Sequence, residues 1–172
     1  MANGKIVLGS ADGAVYSLNV SGKLQWKVTT GAAVLGSPLI EGGTVYIGGS
    51  DSLFRAIDLQ TGKLVWSFKG LEGPVVSQPV TDGNTLIFGA WDRHLYALDK
   101  RDGKLLWKWN NGSTVRNYSP ASVIPVIKDG AVYIAAPDRV LTAIDLQTGT
   151  TLWRTAQSAV RETIGVSEDG HL

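Results

Sequence analysis

Short runs in which apolar and polar residues alternate recur along the whole chain, separated by turns rich in glycine and aspartate. In one stretch, residues 44–49 and 53–57 form two such runs, and residues 41–43 and 50–52 form the turns beside them. Alternation of this kind predicts strands with one buried face. No segment combines apolar residues at helical spacing with helix-capping residues. The pattern therefore predicts an all-β protein.

The predicted strands group into units of four. Each unit has a first strand close to a proline, two apolar strands and a fourth strand that carries a tryptophan. Proline is tolerated at a first strand position because no ladder N–H is needed there. The predicted repeats cover approximately 1–35, 36–75, 76–121 and 122–162, and residues 163–172 begin a further one.

The turn between the third and fourth strands carries the strongest repeat signal. Residues 56–66 read Ala-Ile-Asp-Leu-Gln-Thr-Gly-Lys-Leu-Val-Trp, and related segments occupy 97–107, 143–153 and, one residue shorter, 17–26. The tryptophans are 40, 41 and 46 residues apart, a period typical of repeat architectures. Aspartate opens the turn, glycine supplies a positive φ, and tryptophan offers a surface that one hairpin cannot bury. The predicted structural residues are Trp26, Trp66, Trp107, Trp153, Gly22, Gly62, Gly103, Gly149, Asp58, Asp99 and Asp145.

This spacing closely resembles the tryptophan-docking motif of PQQ-like β-propeller repeats. That quinoprotein-type family includes quinoprotein alcohol dehydrogenases and BamB-like lipoproteins of outer-membrane assembly. The resemblance covers nearly the whole chain and implies a β-propeller of four-stranded antiparallel blades. It does not specify a function, because one fold hosts many activities.

The strand count gives about four blades' worth of strands: three complete blades and a split one, with three strands at the start and one at 163–167. We favour the interpretation that the chain is part of a larger propeller, since the resemblance implies seven or eight blades. Alternatively, the last strand completes the first blade, within a four-bladed monomer or between two chains of an eight-bladed dimer. Incomplete blades would expose strand edges and favour self-association.

Composition excludes several classes of protein. The net charge of the 172 residues is +1, which gives no general attraction to nucleic acid or to a membrane surface. There is no cysteine for a disulfide or a thiolate metal site, and no apolar run of transmembrane length. The first residues lack the apolar core of a signal peptide. Either the protein is cytoplasmic or a leader is missing; we favour the missing leader.

Binding residues are expected among side chains that break the repeat. Asp12, Asp51, Asp92 and Asp138 recur between the second and third strands and are interpreted as turn formers. These turns should share one face with the loops that connect successive blades. Aromatic and arginine side chains on that face are typical of a binding surface, although they could equally cover the blade tops or be solvated. The candidates are Trp91, Arg93, His94, Arg116, Asn117, Tyr118, Arg139, Arg161 and Glu162.

Neither a metal site nor catalysis is predicted. His94 has no histidine or cysteine near it in the sequence, and Trp109 is expected to pack beside Trp107. The resemblance implies that a dehydrogenase of this family would hold its quinone under a vicinal disulfide, over a tryptophan floor and beside calcium. The chain has no cysteine and no constellation of catalytic residues, so we expect no PQQ, no other cofactor and no enzyme activity.

The sequence therefore predicts a non-catalytic propeller module that binds a protein or peptide. If a leader is missing, the family suggests the bacterial periplasm or cell envelope. One alternative is a substrate-recognition or sensor segment of a larger enzyme, since such propellers occur fused to phosphoesterase and kinase domains. Another alternative is a fragment of a quinoprotein dehydrogenase.

Overall fold

Antiparallel β-sheet dominates the structure. A computed structural model describes residues 4–115, 119–135 and 138–156, in which fifteen strands form four sheets and a single 3₁₀ turn spans Pro120–Ser122. The strands are β1 Lys5–Ser10, β2 Ala14–Asn19, β3 Leu24–Thr29, β4 Leu39–Glu41, β5 Thr44–Gly48, β6 Phe54–Asp58, β7 Leu64–Phe68, β8 Val80–Asp82, β9 Thr85–Gly89, β10 Leu95–Asp99, β11 Leu105–Trp109, β12 Val126–Lys128, β13 Ala131–Ala135, β14 Leu141–Asp145 and β15 Thr151–Thr155.

Each sheet follows the chain in order, so that neighbouring strands are joined by short turns. The first sheet has the order β1-β2-β3, and the other three contain β4 to β7, β8 to β11 and β12 to β15. The three-stranded first sheet agrees with the sequence prediction that the first repeat begins with three strands instead of four. The strand predicted at 163–167 lies outside the described residues. The chain divides into two compact units, Met1–Gln78 with the first two sheets and Pro79–Leu172 with the last two.

Every sheet carries a β-bulge in its last strand, immediately before the repeat tryptophan. In the second sheet, Ala56 pairs with Trp66 and Ile57 pairs with Leu64, which leaves Val65 as the extra residue. The other sheets shift register at the equivalent place. A bulge re-aims the side chain beside it. The residue opposite each tryptophan is small and fully buried, which leaves room for the ring; these residues are Ser17, Ala56, Ala97 and Ala143.

The apolar core of each unit combines side chains from its two sheets. In the first unit the cluster contains Val15, Trp26, Val34, Val45, Ile47, Ile57 and Leu59. In the second unit it contains Ile87, Leu95, Ala97, Trp107, Trp109, Val123, Val132, Ile134, Ile144 and Leu146. Burial of these side chains ties one sheet to the next and supplies the main favourable free energy of folding.

Tryptophan docking holds the two sheets of the first unit together. Trp26 Nε1 donates a hydrogen bond of 2.9 Å to the carbonyl oxygen of Leu59, in the turn of the following sheet. The indole also covers Gly62 so closely that a Cβ there would lie 2.9 Å from Trp26 Cδ2. Gly62 has φ +72°, so the turn requires glycine for its backbone conformation as well as for this contact.

The second unit repeats the same contact. Trp107 Nε1 donates to the carbonyl oxygen of Leu146 at 2.9 Å, and a Cβ on Gly149 would lie 2.6 Å from Trp107 Cδ2. Trp109 is also buried, as expected from its position, and donates from Nε1 to Thr151 Oγ1 at 2.9 Å.

Burial of the four repeat tryptophans is not uniform, although their shared spacing from the glycine turn predicts equivalent, mostly buried positions. Trp26 and Trp107 are each 8% exposed, whereas Trp66 is half-buried and Trp153 is 41% exposed. Trp66 packs against Tyr46 and Phe54 of its own sheet, and Trp153 packs against Tyr133. The two buried tryptophans, Trp26 and Trp107, are those that dock on a glycine turn within their own unit.

Candidate functional site

Turns between second and third strands share one end of the sheets with the loops that connect successive sheets. In the first unit, the Gly31 N–H of a connecting loop donates to Asp51 Oδ2 at 3.0 Å. A Cβ on Gly48, at the end of β5, would lie 2.3 Å from Val75 Cβ of the next connecting loop. In the second unit, Asn111 Nδ2 donates to Asp138 Oδ2 at 2.9 Å. Within each unit, both kinds of loop therefore lie at the end where the sequence places them.

The repeated aspartates at this end close their turns and also anchor a side chain. The backbone N–H of Leu53, His94 and Val140 donates to Asp51, Asp92 and Asp138, respectively. Each carboxylate also accepts a hydrogen bond from a longer side chain; the pairs are Asp12–Tyr16, Asp51–Arg55, Asp92–Tyr96 and Asp138–Arg154. These aspartates are turn formers, as predicted, and they also fix residues of the third or fourth strand.

These hydrogen bonds change the acidity of two of the carboxylates. Burial raises the pKa of Asp51, but hydrogen bonds from Arg55 and from the Gly31 N–H outweigh burial and leave the pKa below its usual value. The hydrogen bond from Tyr16 lowers the pKa of Asp12. Both groups are therefore stabilised as carboxylates in the folded protein.

The residue after each aspartate has a left-handed backbone. Gly13 has φ +81° in the first sheet, whereas Ser52, Arg93 and Arg139 have φ +59°, +75° and +64° in the others. Glycine adopts this conformation without steric cost, and a residue with a Cβ does not. Two arginines therefore occupy positions where folding alone would favour glycine.

A cleft of about 240 Å³ lies beside Arg93 in the second unit. It is formed by the turn between β9 and β10 and by the loop that follows β11; the lining residues are Arg93, His94, Asn110, Gly112, Ser113 and Thr114. Arg93 Nη1 donates to the carbonyl oxygen of Thr114 at 3.3 Å, which joins the two walls. No acidic side chain is among the lining residues.

The imidazole of His94 contacts the walls of the cleft through both ring nitrogens. Asn110 Oδ1 accepts from the Gly112 N–H at 2.9 Å, and Asn110 Nδ2 faces His94 Nε2 at 3.3 Å. Nδ1 is buried 3.4 Å from Asp92 Oδ1 and makes no hydrogen bond within the described part of the chain.

Arginines at this end differ in their pairing. Arg55 and Arg154 form ion pairs with Asp51 and Asp138. Arg93 and Arg139 have no carboxylate partner among the described residues. In contrast, Arg101, in the turn between β10 and β11, is paired with Asp99 and lowers the pKa of that carboxyl to about 2.

The structure places some of the predicted binding residues and not others. Arg93 and His94 line the cleft, Trp91 is half-buried next to them in sequence, and Arg139 is exposed in the turn between β13 and β14. The remaining candidates lie outside the described residues: Arg116, Asn117, Tyr118, Arg161 and Glu162. Sequence reasoning did not select Asn110, Ser113 and Thr114, although their polar run follows directly on a buried tryptophan strand.

Two features that the described residues lack bear on the class of site. No three His, Cys, Asp or Glu side chains there come together as a metal-binding group. No helix in that part of the chain has both the length and the apolar character needed to span a membrane.

Comparison with known proteins gives a consistent family assignment. The family model described as "Outer membrane protein assembly factor BamB" matches residues 1–108 and again residues 70–170. Outer membrane protein assembly factor BamB of Yersinia pestis is 27% identical over 169 residues, which cover 92% of this chain and 43% of that protein. The chain therefore spans less than half of the length of this relative.

Solved structures show the same fold. The crystal structure of BamB from Moraxella catarrhalis matches with a TM-score of 0.78 and 22% identity, over 96% of this chain and 50% of that one. Quinohemoprotein alcohol dehydrogenase ADHIIG from Pseudomonas putida HK5 matches with a TM-score of 0.74 and 20% identity, over 88% of this chain and 33% of the enzyme. The four sheets are thus blades of a partial β-propeller.

Proposed function

Because this chain belongs to the PQQ-like propeller family of outer membrane protein assembly factor BamB, we propose that it is a non-catalytic module that binds a protein or peptide. The relatives from Yersinia pestis and Moraxella catarrhalis are named as assembly factors or as BamB. By analogy, the partner of this chain is a protein or extended peptide of the cell envelope. Binding takes place at the end of the sheets that carries the connecting loops.

One observation supports this proposal most directly. Arg93 and Arg139 hold left-handed turns in consecutive sheets and lack a carboxylate partner among the described residues. Residues with backbone strain of this kind are enriched at functional sites. We call the end of the sheets that carries Arg93, Arg139 and the connecting loops the rim. Arginine at the rim can make bidentate contacts to carboxylates and offers a wide contact area, which suits an acidic or extended peptide.

A binding experiment tests the proposal. Peptides taken from outer membrane proteins, with acidic members included, would be labelled and titrated with the 172-residue chain by fluorescence anisotropy. We expect the double variant Arg93→Ala with Arg139→Ala to lose affinity. Arg101→Ala is the matched control, because its side chain pairs with Asp99 in a turn of the third and fourth strands. Unchanged affinity in the double variant, with its fold intact, would contradict a binding role for this rim.

A quinoprotein function is the second candidate, because the fold matches that of a quinohemoprotein alcohol dehydrogenase. The residues present do not fit the expected quinone site: the chain has no cysteine, and the described residues contain no metal-binding group of three. The chain also spans a third of that enzyme. Titration with pyrroloquinoline quinone and calcium, followed by absorbance, tests this alternative. Stoichiometric binding of the quinone would favour it over the peptide-binding proposal.

A further inference from the structure

We infer that the cleft beside Arg93 is a subsite for one carboxylate group of a peptide. This inference rests on the proposed function and names the chemical group that the rim recognises. The same chemistry is offered by an aspartate or glutamate side chain and by the free end of a polypeptide.

The donors of the cleft are incompletely used. The Arg93 guanidinium has five N–H donors, and Nη1 makes its one hydrogen bond within the described residues, to Thr114. Ser113 Oγ accepts from the Val115 N–H at 3.1 Å, and its hydroxyl proton has no acceptor among the described residues. Guanidinium and hydroxyl donors on adjoining walls form a set that an acceptor-only carboxylate can satisfy.

The charge around the cleft favours an anion. Arg93 is the single permanent charge among the lining residues, and no carboxylate there neutralises it. Asp92, which lies 3.4 Å from the His94 ring, is buried and accepts from the His94 backbone N–H and from the Tyr96 hydroxyl at 2.6 Å. A carboxylate that enters the cleft therefore meets a cation without displacing an existing ion pair.

The walls of the cleft are held in place before a ligand binds. The Gly112 and Ser113 N–H groups donate to Asn110 and Asn111 side chains, and Asn111 donates in turn to Asp138. The first part of the connecting loop is thus tied to the turns on both sides of it. Such preorganisation reduces the entropic cost of binding. A small polar site held by fixed loops is suited to a single ligand group rather than to a large apolar surface.

The backbone of Arg93 gives an independent argument. The equivalent position in the first sheet is Gly13, which shows that the turn itself needs no side chain. A left-handed arginine costs stability, so its guanidinium is expected to make a contact that compensates only when a ligand is bound. The existing bond goes to a single neutral carbonyl oxygen and leaves the guanidinium without an anionic partner among the described residues.

Nuclear magnetic resonance of the ¹⁵N-labelled chain can test the inference with three short acetylated peptides of otherwise identical neutral sequence. One ends in a free carboxylate, the second is amidated and contains glutamate, and the third is amidated and contains glutamine. The signals to follow are the backbone amides of Ser113 and Thr114 and the Nε–H of Arg93. The variants are Arg93→Gln and Arg101→Gln. Arg93→Gln removes the charge and keeps a residue with a Cβ at the left-handed position, and Arg101→Gln is the control.

We expect at least one of the two carboxylate peptides to shift these signals in a saturable way, and the glutamine peptide to leave them unchanged. Loss of a charge-assisted contact in Arg93→Gln should weaken binding about tenfold or more. Arg101→Gln should bind as the unmodified chain does. The peptide that binds identifies whether a side chain or a chain end supplies the carboxylate.

Equal binding of the glutamine peptide, or undiminished affinity of Arg93→Gln, would overturn the inference. Its failure can be distinguished from failure of the proposed function. If the carboxylate peptides do not bind but the anisotropy assay still depends on Arg93 and Arg139, the carboxylate subsite alone is wrong. If they bind in the cleft while the larger peptides do not depend on these arginines, the subsite stands and the proposed rim function is wrong.

Discussion

Substitution of alanine at two equivalent glycines should separate the cost of the turn from the cost of disturbing tryptophan docking. Gly22 and Gly62 occupy corresponding turns in consecutive sheets, with φ +78° and +72°, although the turn at Gly22 is one residue shorter. A Cβ at Gly22 meets no described residue within 4 Å, whereas at Gly62 it would lie 2.9 Å from both Cγ and Cδ2 of Trp26. The two glycines therefore share a left-handed φ and differ in the docked ring.

The magnitudes follow from these contacts. A left-handed alanine costs about 1–2 kcal/mol, which is the whole expected effect of Gly22→Ala. Gly62→Ala adds a collision with the rigid core of the indole, and overpacking of this type costs about 1–3 kcal/mol more. We expect Gly62→Ala to lower the free energy of unfolding by about 2–5 kcal/mol, clearly more than Gly22→Ala.

A double-mutant cycle with Trp26→Ala identifies the cause. Removal of the ring should itself cost about 3–5 kcal/mol. In that background, Gly62→Ala no longer meets the indole, so its additional cost should fall to that of Gly22→Ala. The assay is equilibrium urea denaturation of all variants, followed by circular dichroism. Equal costs at Gly22 and Gly62, or a cost at Gly62 that is independent of Trp26, would refute the docking argument.

Three further predictions concern single residues. Ser17→Ala should raise the free energy of unfolding by about 1 kcal/mol in urea denaturation, because the buried Ser17 hydroxyl has no hydrogen-bond partner among the described residues and the equivalent sheet positions carry alanine; a loss of stability would show that the hydroxyl is satisfied. Arg93→Gly should leave the protein about 1 kcal/mol more stable than Arg93→Ala, since only alanine retains the left-handed strain at φ +75°; the reverse order would contradict the assigned backbone. The pKa of Asp51 is lowered on folding, so its contribution to stability is present above the unfolded value near 3.8 and is lost as the pH falls through the lower folded value. In thermal melts, Asp51→Asn should therefore lose less stability in acid than the unmodified chain does. Parallel pH profiles of the two proteins would contradict this linkage.

The repeat spacing was sufficient to predict most of the fold. Alternation and turn residues located the strands to within a few residues, and the count of three strands in the first sheet followed from the repeat pattern. The docking partners of the tryptophans did not follow from the sequence. The carbonyl oxygen of Leu59 is a main-chain acceptor, and nothing in the identity of that leucine indicates that it receives a hydrogen bond. The double role of Gly62 was also hidden, since a positive φ already explained it.

The candidate site could be predicted only in outline. Departure from the repeat pointed to Arg93 and His94, and the structure brings both to one cleft. The opposite wall comes from Ser113 and Thr114, which lie in a connecting loop with no counterpart of the same length in the other repeats. A loop without a repeat partner carries no pattern from which its contacts can be inferred. The left-handed backbone of Arg93 was equally invisible, because arginine is an unfavourable residue for that conformation.

Tryptophan docking has a consequence for how far such a protein can diverge. On the receiving turn, the indole meets two main-chain groups, the carbonyl oxygen that accepts its hydrogen bond and the backbone of the glycine. Side-chain substitutions elsewhere on that turn keep both groups in place as long as the turn keeps its conformation. The docking contact between sheets therefore tolerates sequence differences in the loops, which agrees with the 22% identity to a BamB structure that has the same fold. Loop side chains that do not form the turns can therefore differ between relatives while the docking contact between sheets is kept.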